Sequence, residues 1–326
     1  MPSTPSPRRA VLTAAATVVA GALLLTGCGN EKDSDDKTAA ASSDTRKITD
    51  ATGRSVQVPS TPKKVVALSE PTLDAALALG IEPVGTTAGR GQTGVSTYLA
   101  AKASKAQVVA TVAAADLEKL AALQPDLILL DETTAAKSQV SKLQAIAPTV
   151  VTAKLNEDWK KAFTATADAL NQKAQGAKIL DGFDAVVSAT KKKLGDNAGA
   201  VMSVVRWQNG APSVVGKGVG HVGSTLSALG LKRPADQQGV SAGHSEPVSL
   251  EKLSTIDGDW LFFGTLGDRA DGEKAYATAK KVPNFSKLKA EKEGHVVVVQ
   301  GSAWNSAGGP LAARIVLADL TKALTS

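Results

Sequence analysis

Two glycine-framed motifs in this sequence have the spacing of known chemical signatures. Gly218-Val219-Gly220-His221-Val222-Gly223 satisfies G-x-G-x-x-G and follows Val214-Val215. In a dinucleotide site such glycines admit a pyrophosphate, and an acidic residue about 20 positions on holds the ribose. Here Asp236 and Glu246 fall in a polar loop, so the glycines read as a cleft-rim loop that brings backbone close to another kind of ligand. Gly239-Val240-Ser241-Ala242-Gly243 matches the G-x-S-x-G nucleophile elbow, which needs a buried strand before the serine and a helix directly after it. Asp236-Gln237-Gln238 precede it and Pro247 comes later, which makes it a loop and an esterase the most distant reading. Direct metal ligation wants clustered His, Asp or Glu. His221, His244 and His295 are scattered without ligand spacing, so no protein-ligated metal is expected. Haem would want an axial His or Tyr, for which Tyr98 and His221 stay open.

Strands alternating with helices must position these loops. Val65-Val66-Ala67-Leu68 and Asp126 to Leu130 are continuous apolar runs, as in strands buried on both faces. A helix over Thr72 to Leu79 closes at Gly80, and Asp116 N-caps another over Leu117 to Leu123. The pattern predicts an α/β lobe with a parallel sheet. Apolar residues at helical spacing from Gly176 to Leu194 predict a helix of about 30 Å, long enough to join two domains as a strut. The strand–helix alternation then restarts, from Val201 to Val205 through Trp260 to Phe263 and Val296 to Val299, ending in a helix over Pro310 to Leu324.

The chain begins with Arg8-Arg9, an apolar stretch over Val11 to Leu25, then Leu25-Thr26-Gly27-Cys28. That stretch is too short for a bilayer span, which needs about 20 residues, and reads as a signal peptide over 1–27. Leu-Thr-Gly-Cys resembles a bacterial lipobox, which makes Cys28, the chain's single cysteine, the lipidation site. One cysteine also excludes an internal disulfide. The polar run that follows predicts a flexible tether over 28–45. The net charge of +6 includes Arg8 and Arg9, and the one basic run, Lys191-Lys192-Lys193, ends a helix whose dipole it complements. No nucleic-acid partner is expected.

An internal repeat organises the rest. Asp116-Leu117-Glu118-Lys119-Leu120 through Asp126 corresponds to Ser249-Leu250-Glu251-Lys252-Leu253 through Asp259. Glu118 to Glu251 and Asp126 to Asp259 both span 133 positions. Each copy reads as a capped helix, a turn and a buried strand, so two lobes share one plan. With Asp50-Ala51-Thr52-Gly53-Arg54, Leu79-Gly80-Ile81-Glu82-Pro83-Val84-Gly85 and Leu229-Gly230-Leu231-Lys232-Arg233-Pro234, the order and spacing resemble the periplasmic binding proteins for ferric siderophores and vitamin B12, over about residues 46 to 325.

The resemblance implies an N-terminal α/β lobe over 46–172, a linking helix over 173–195 and a C-terminal α/β lobe over 196–326, with a ligand cleft between the lobes (a class III periplasmic-binding-protein-like fold). It implies a monomeric, non-enzymatic lipoprotein on the outer face of the cell membrane. This protein hands a ferric siderophore to an ABC importer and needs no cofactor, since the siderophore holds the iron. Cobalamin or haem is the alternative ligand on the same fold. Glu118 and Glu251 would dock on arginines of the permease dimer, one carboxylate per lobe against a two-fold partner. Ligands of open α/β sheets lie beyond the strands' C-terminal ends. That places Ser69, Glu70, Arg90 and Thr133 of the N-lobe at the cleft, with Arg206, Trp207, Gly220, His221, Thr265, Arg269 and Trp304 of the C-lobe. Arg206, Trp207, Arg90 and Trp304 lead, because Arg presents several donors to chelate oxygens and Trp a flat apolar wall.

Overall fold

The computed structural model describes residues 44–240 and 245–325. The expected signal peptide, Cys28, nearly all of the tether, Ser241 and His244 lie outside the described residues. The body opens with an antiparallel hairpin, β1 (Thr45–Thr49) and β2 (Ser55–Pro59). Asp50 organises its turn, accepting from the Thr52 amide at 2.9 Å and from the Arg54 guanidinium at 2.5 Å. Five parallel strands follow: β3 (Val65–Ala67), β4 (Gly85–Thr87), β5 (Gln107–Ala110), β6 (Leu127–Leu130) and β7 (Thr149–Val151), in the order β5-β4-β3-β6-β7. Every residue of β3 and β6 is buried, the reason for their unbroken apolar runs. The helices here are α1 (Glu70–Ala78), α2 (Leu117–Ala122), α3 (Val140–Gln144) and α4 (Trp159–Ala169).

The joining helix is α5 (Lys173–Lys191), 19 residues and about 28 Å long. It packs on α4 on one side and, on the other, on α6 (His221–Leu229) and the last helix. Gly176 permits the first contact, since a Cβ there would stand 2.8 Å from the Ala167 methyl. Phe183 meets Trp159 edge to face at 5.3 Å, and both belong to the core of the C-lobe.

The second sheet holds β8 (Met202–Gln208), β9 (Ala211–Val214), β10 (Glu246–Pro247), β11 (Trp260–Gly264) and β12 (Val296–Val298), in the order β10-β9-β8-β11-β12. Its β8, β11 and β12 are parallel, whereas β9 returns antiparallel to β8. Asn209 and Gly210 both take positive φ, 53° and 78°, which a two-residue I′ turn requires and these residue types tolerate. The remaining helices are α7 (Arg269–Ala279), α8 (Lys289–Lys292), α9 (Gly301–Trp304) and α10 (Pro310–Leu324).

The repeat is structural. β6 and β11 begin 133 positions apart, at Leu127 and Trp260, and each pairs with its lobe's central strand, β3 or β8. The second copy differs in detail: Leu250–Ile256 is a 3-10 helix broken at Lys252 (φ −107°, ψ 27°), not the expected α-helix. Both copies keep a side-chain cap, Asp116 and Ser249, and a buried leucine, Leu120 and Leu253.

A buried carboxylate joins the lobes. α10 has no side-chain cap of its own; Asp74, from α1, accepts from the amides of Leu311 at 2.8 Å and Ala312 at 2.9 Å. The Tyr98 hydroxyl donates to the same carboxylate at 2.9 Å. Burial pushes Asp74 up to about 6, and the amides and Tyr98 restrain the rise. The folded protein therefore holds a proton here that the unfolded chain releases near pH 4. This group's contribution to stability is full below that pH and is lost as pH rises through about 6. Glu70 and Asp131, also raised by burial, act in the same direction. Asp74→Asn is expected to flatten the fall in stability between pH 4.5 and 7, a difference on the order of 2 kcal/mol in urea titrations. An unchanged pH profile would show that Asp74 is not buried as a charge at this seam.

Candidate functional site

The loops beyond the C-terminal ends of β3, β4, β6 and β7 face those of the C-lobe across a cavity open at its mouth. Arg90, Asp131, Thr133, Lys154, Leu155 and Trp159 line it from one side. Residues 215–222, Val240 and the segment 304–308 line it from the other. Contacts across the seam set the separation of the walls: Gln92 Nε2 donates to the Leu266 carbonyl at 2.9 Å, Thr97 and Ser302 hydroxyls meet at 2.8 Å, and Trp159 Nε1 donates to Ser224 Oγ at 2.8 Å.

Two arginines dominate the electrostatics. Arg90 donates from Nη2 to the Thr133 carbonyl at 3.3 Å, and Arg206 from Nη2 to Ser245 Oγ at 2.5 Å. The buried Nε of each has no partner, and neither guanidinium is in an ion pair among the described residues. Burial, and then the charge of Arg90, lower the pKa of Arg206. Two like charges thus lie near each other, Arg90 in the cavity wall and Arg206 behind it, where low dielectric makes repulsion costly.

The nearby carboxylates feel the charge of Arg90 but take their side-chain hydrogen bonds from other groups. Asp131 accepts from Ser69 Oγ at 2.9 Å and from the Thr133 amide and hydroxyl at 2.8 and 2.5 Å. Burial raises its pKa, and these bonds and the Arg90 charge oppose the rise. Glu70 accepts from the Ser306 hydroxyl of the other lobe, and burial raises it likewise. At the first turn of α6, His221 Nε2 lies 2.7 Å from the Ala303 carbonyl and so carries the proton. Burial lowers its pKa to about 4, leaving a neutral ring with Nδ1 as an acceptor.

A family model described as "Periplasmic binding protein" matches residues 65–303, from β3 into α9. The chain belongs to this family. The Bacillus subtilis (strain 168) protein named "Probable siderophore-binding lipoprotein YfiY" is 32% identical over 305 residues, 91% of this chain and 93% of that protein. The "Fe(3+)-citrate-binding protein YfmC" of the same organism is 28% identical over 306 residues, 92% of each chain. Among solved structures, Staphylococcus aureus SirA complexed with staphyloferrin B superposes with a TM-score of 0.72 at 24% identity, covering 86% of this chain and 98% of that one. It shares the fold.

Within this family fold, the residues expected at the cleft separate into three groups. Arg90, Thr133, Gly220, His221 and Trp304 line the cavity, Trp304 by an edge of a ring stacked on Phe262 at 4.8 Å. Arg206 stands behind the lining, close enough to feel Arg90. Trp207, Ser69, Glu70, Thr265 and Arg269 are not among the residues that line the cavity. Strand alternation turns Trp207 away from Arg206 and into the opposite core, where it packs on Phe263 and Phe285. Ser69 caps α1 and supports Asp131. Glu70 faces the seam, Thr265 Oγ1 accepts from the Gly267 amide, and Arg269 bonds the Val298 carbonyl and Asp319. Tyr98, open as a haem ligand, is held in the seam by Asp74. Glu118 and Glu251 are both exposed and occupy the same place, two residues after their caps. Lys154, Leu155, Trp159, Lys217 and the 305–308 segment line the cavity without having been singled out; Lys217, inside the glycine-rich loop, was the one with a visible signal.

Proposed function

We propose that this protein captures an anionic ferric siderophore in the inter-lobe cleft and delivers it to an ABC importer. The unpaired Arg90 and Arg206 carry the reading. An anionic chelate would accept charge-assisted hydrogen bonds from Arg90 and offset the charge of Arg206 behind it, relieving their repulsion. The names of the siderophore-binding and Fe(3+)-citrate-binding relatives support this ligand class. The iron is held by the siderophore's own donors, and the protein recognises the outer face of the complex. Capture is the whole of the chain's part, without covalent chemistry. Trp159 and Trp304 in the cavity wall supply an optical signal.

Delivery requires an address on the outside of the cell. Cys28 in its lipobox-like context supports a lipid anchor there, and the relative named as a lipoprotein agrees. Glu118 and Glu251, exposed at matching positions in the two lobes, are the docking carboxylates for a permease dimer.

Titration with ferric citrate, followed by tryptophan fluorescence, tests the ligand. Arg206→Gln and Arg90→Gln are each expected to weaken binding by about 30-fold or more. Arg206→Gln leaves the free protein at least as stable, since it removes a repulsion. Wild-type affinity in both variants, or quenching by cobalamin alone, would contradict the assignment. For delivery, Glu118→Ala combined with Glu251→Ala should leave chelate affinity unchanged and abolish cellular uptake of labelled iron, and Cys28→Ala should shed the protein into the medium. Normal uptake by the double variant would remove these residues from the docking surface, and retention of Cys28→Ala on the membrane would remove the lipid anchor.

A further inference from the structure

Five large hydrophobic side chains stand exposed among the described residues, and three of them rim the one cleft: Leu155 at 48%, Val219 at 44% and Val240 at 66%. Scattered single exposures are ordinary, but an apolar rim around a charged floor marks a surface that is covered when the protein works. The exposure is built in. The Leu155 amide donates to the Glu132 carboxylate at 3.1 Å, Asn156 adopts φ 62°, and the Glu157 amide closes on the Lys154 carbonyl at 3.2 Å. This tight turn holds Leu155 outward. Across the cavity, Val219 lies between Gly218 (φ 75°) and Gly220, the cap residue of α6. The Val240 methyls come within 3.6 and 3.8 Å of where a Cβ on Gly218 would stand, which places Val240 beside the backbone that carries Val219.

We propose that this lip binds an apolar arm of the ligand, so that the chelate is amphiphilic. Its anionic iron-binding head lies toward Arg90 and Arg206, and an aliphatic chain runs out between Leu155 on one side and Val219 and Val240 on the other. This rests on the anionic-chelate reading above and adds to it. Branched aliphatic walls suit a flexible hydrocarbon, whereas the cavity's aromatic rings are already engaged, Trp159 with Phe183 and Trp304 with Phe262. The bonds from Gln92 to Leu266, Thr97 to Ser302 and Trp159 to Ser224 hold the two lips apart in this structure.

Two probes that share one head decide the matter: ferric citrate, and the ferric complex of citrate bearing an octyl chain on a methylene carbon, which keeps every chelating oxygen. Wild-type protein is expected to bind the octyl complex tighter by about 30-fold or more, as burial of several methylenes implies. In the combined variant Leu155→Ser, Val219→Ser and Val240→Ser the octyl complex should lose far more affinity than ferric citrate, so that the ratio of the two falls to about one. Equal wild-type affinity for the two complexes would overturn the apolar arm and leave the anionic head intact. An equal loss for both complexes in the triple variant would assign the lip to lobe closure instead. If wild type bound neither complex, the anionic-chelate reading would fail and this inference with it.

Discussion

The Asp74 carboxylate is the constraint on which the cleft depends. It stands where the N-terminus of α10 needs acceptors, so a helix of one lobe is capped by a side chain of the other. Anchoring Leu311 and Ala312 anchors what precedes them. Ser306, Ala307 and Gly308 form part of the cavity wall, and Gly308 must remain glycine-sized because a Cβ there would collide with the Ala312 methyl of α10. The wall of the binding site is thus positioned by a buried charge that never touches the ligand. Tyr98 binds the same carboxylate and its amide donates to Ser302, carrying the constraint to the second strap across the seam.

With the lobes bonded across the seam, and with α5 packed on both, wide opening of the cleft is restrained. Cost is then accepted in electrostatics. Asp131 is held by Ser69 and Thr133 and Glu70 by Ser306, and no ion pair among the described residues neutralises Arg90 in the cavity wall or Arg206 behind it. Unpaired buried charge destabilises the free protein. It also makes the site ready to accept a charge of opposite sign without rearrangement, which lowers the cost of binding. The neutral His221 and the aliphatic lip then shape a ligand that is charged at one end and apolar at the other.

Much of this was legible in the sequence, for reasons that are local. Runs such as Val65 to Leu68 and Asp126 to Leu130 announce strands buried on both faces, and the 133-residue repeat announces two like lobes because it recurs at helix caps and buried leucines. What escaped depends on parity or distance. Trp207 is one position from Arg206, and strand period alone sends it to the other face. The β8–β9 hairpin carried a plain Asn209-Gly210 signal that the expectation of simple strand–helix alternation passed over. Arg269 finds Asp319 fifty positions away, and Asp74 finds α10 across more than two hundred, which no local pattern reveals. The lip was invisible because Leu155, Val219 and Val240 look like core residues until the turns that hold them outward are seen.

The central claim is that the cleft selects negative charge on a ferric chelate. Its most direct measurement is the affinity of the wild-type protein for ferric chelates of similar size and different net charge, at low and high salt. The account predicts that anionic complexes bind tighter than neutral ones, with affinity falling as salt rises. A neutral ferric complex that binds as tightly as an anionic one, with no dependence on salt, would contradict it.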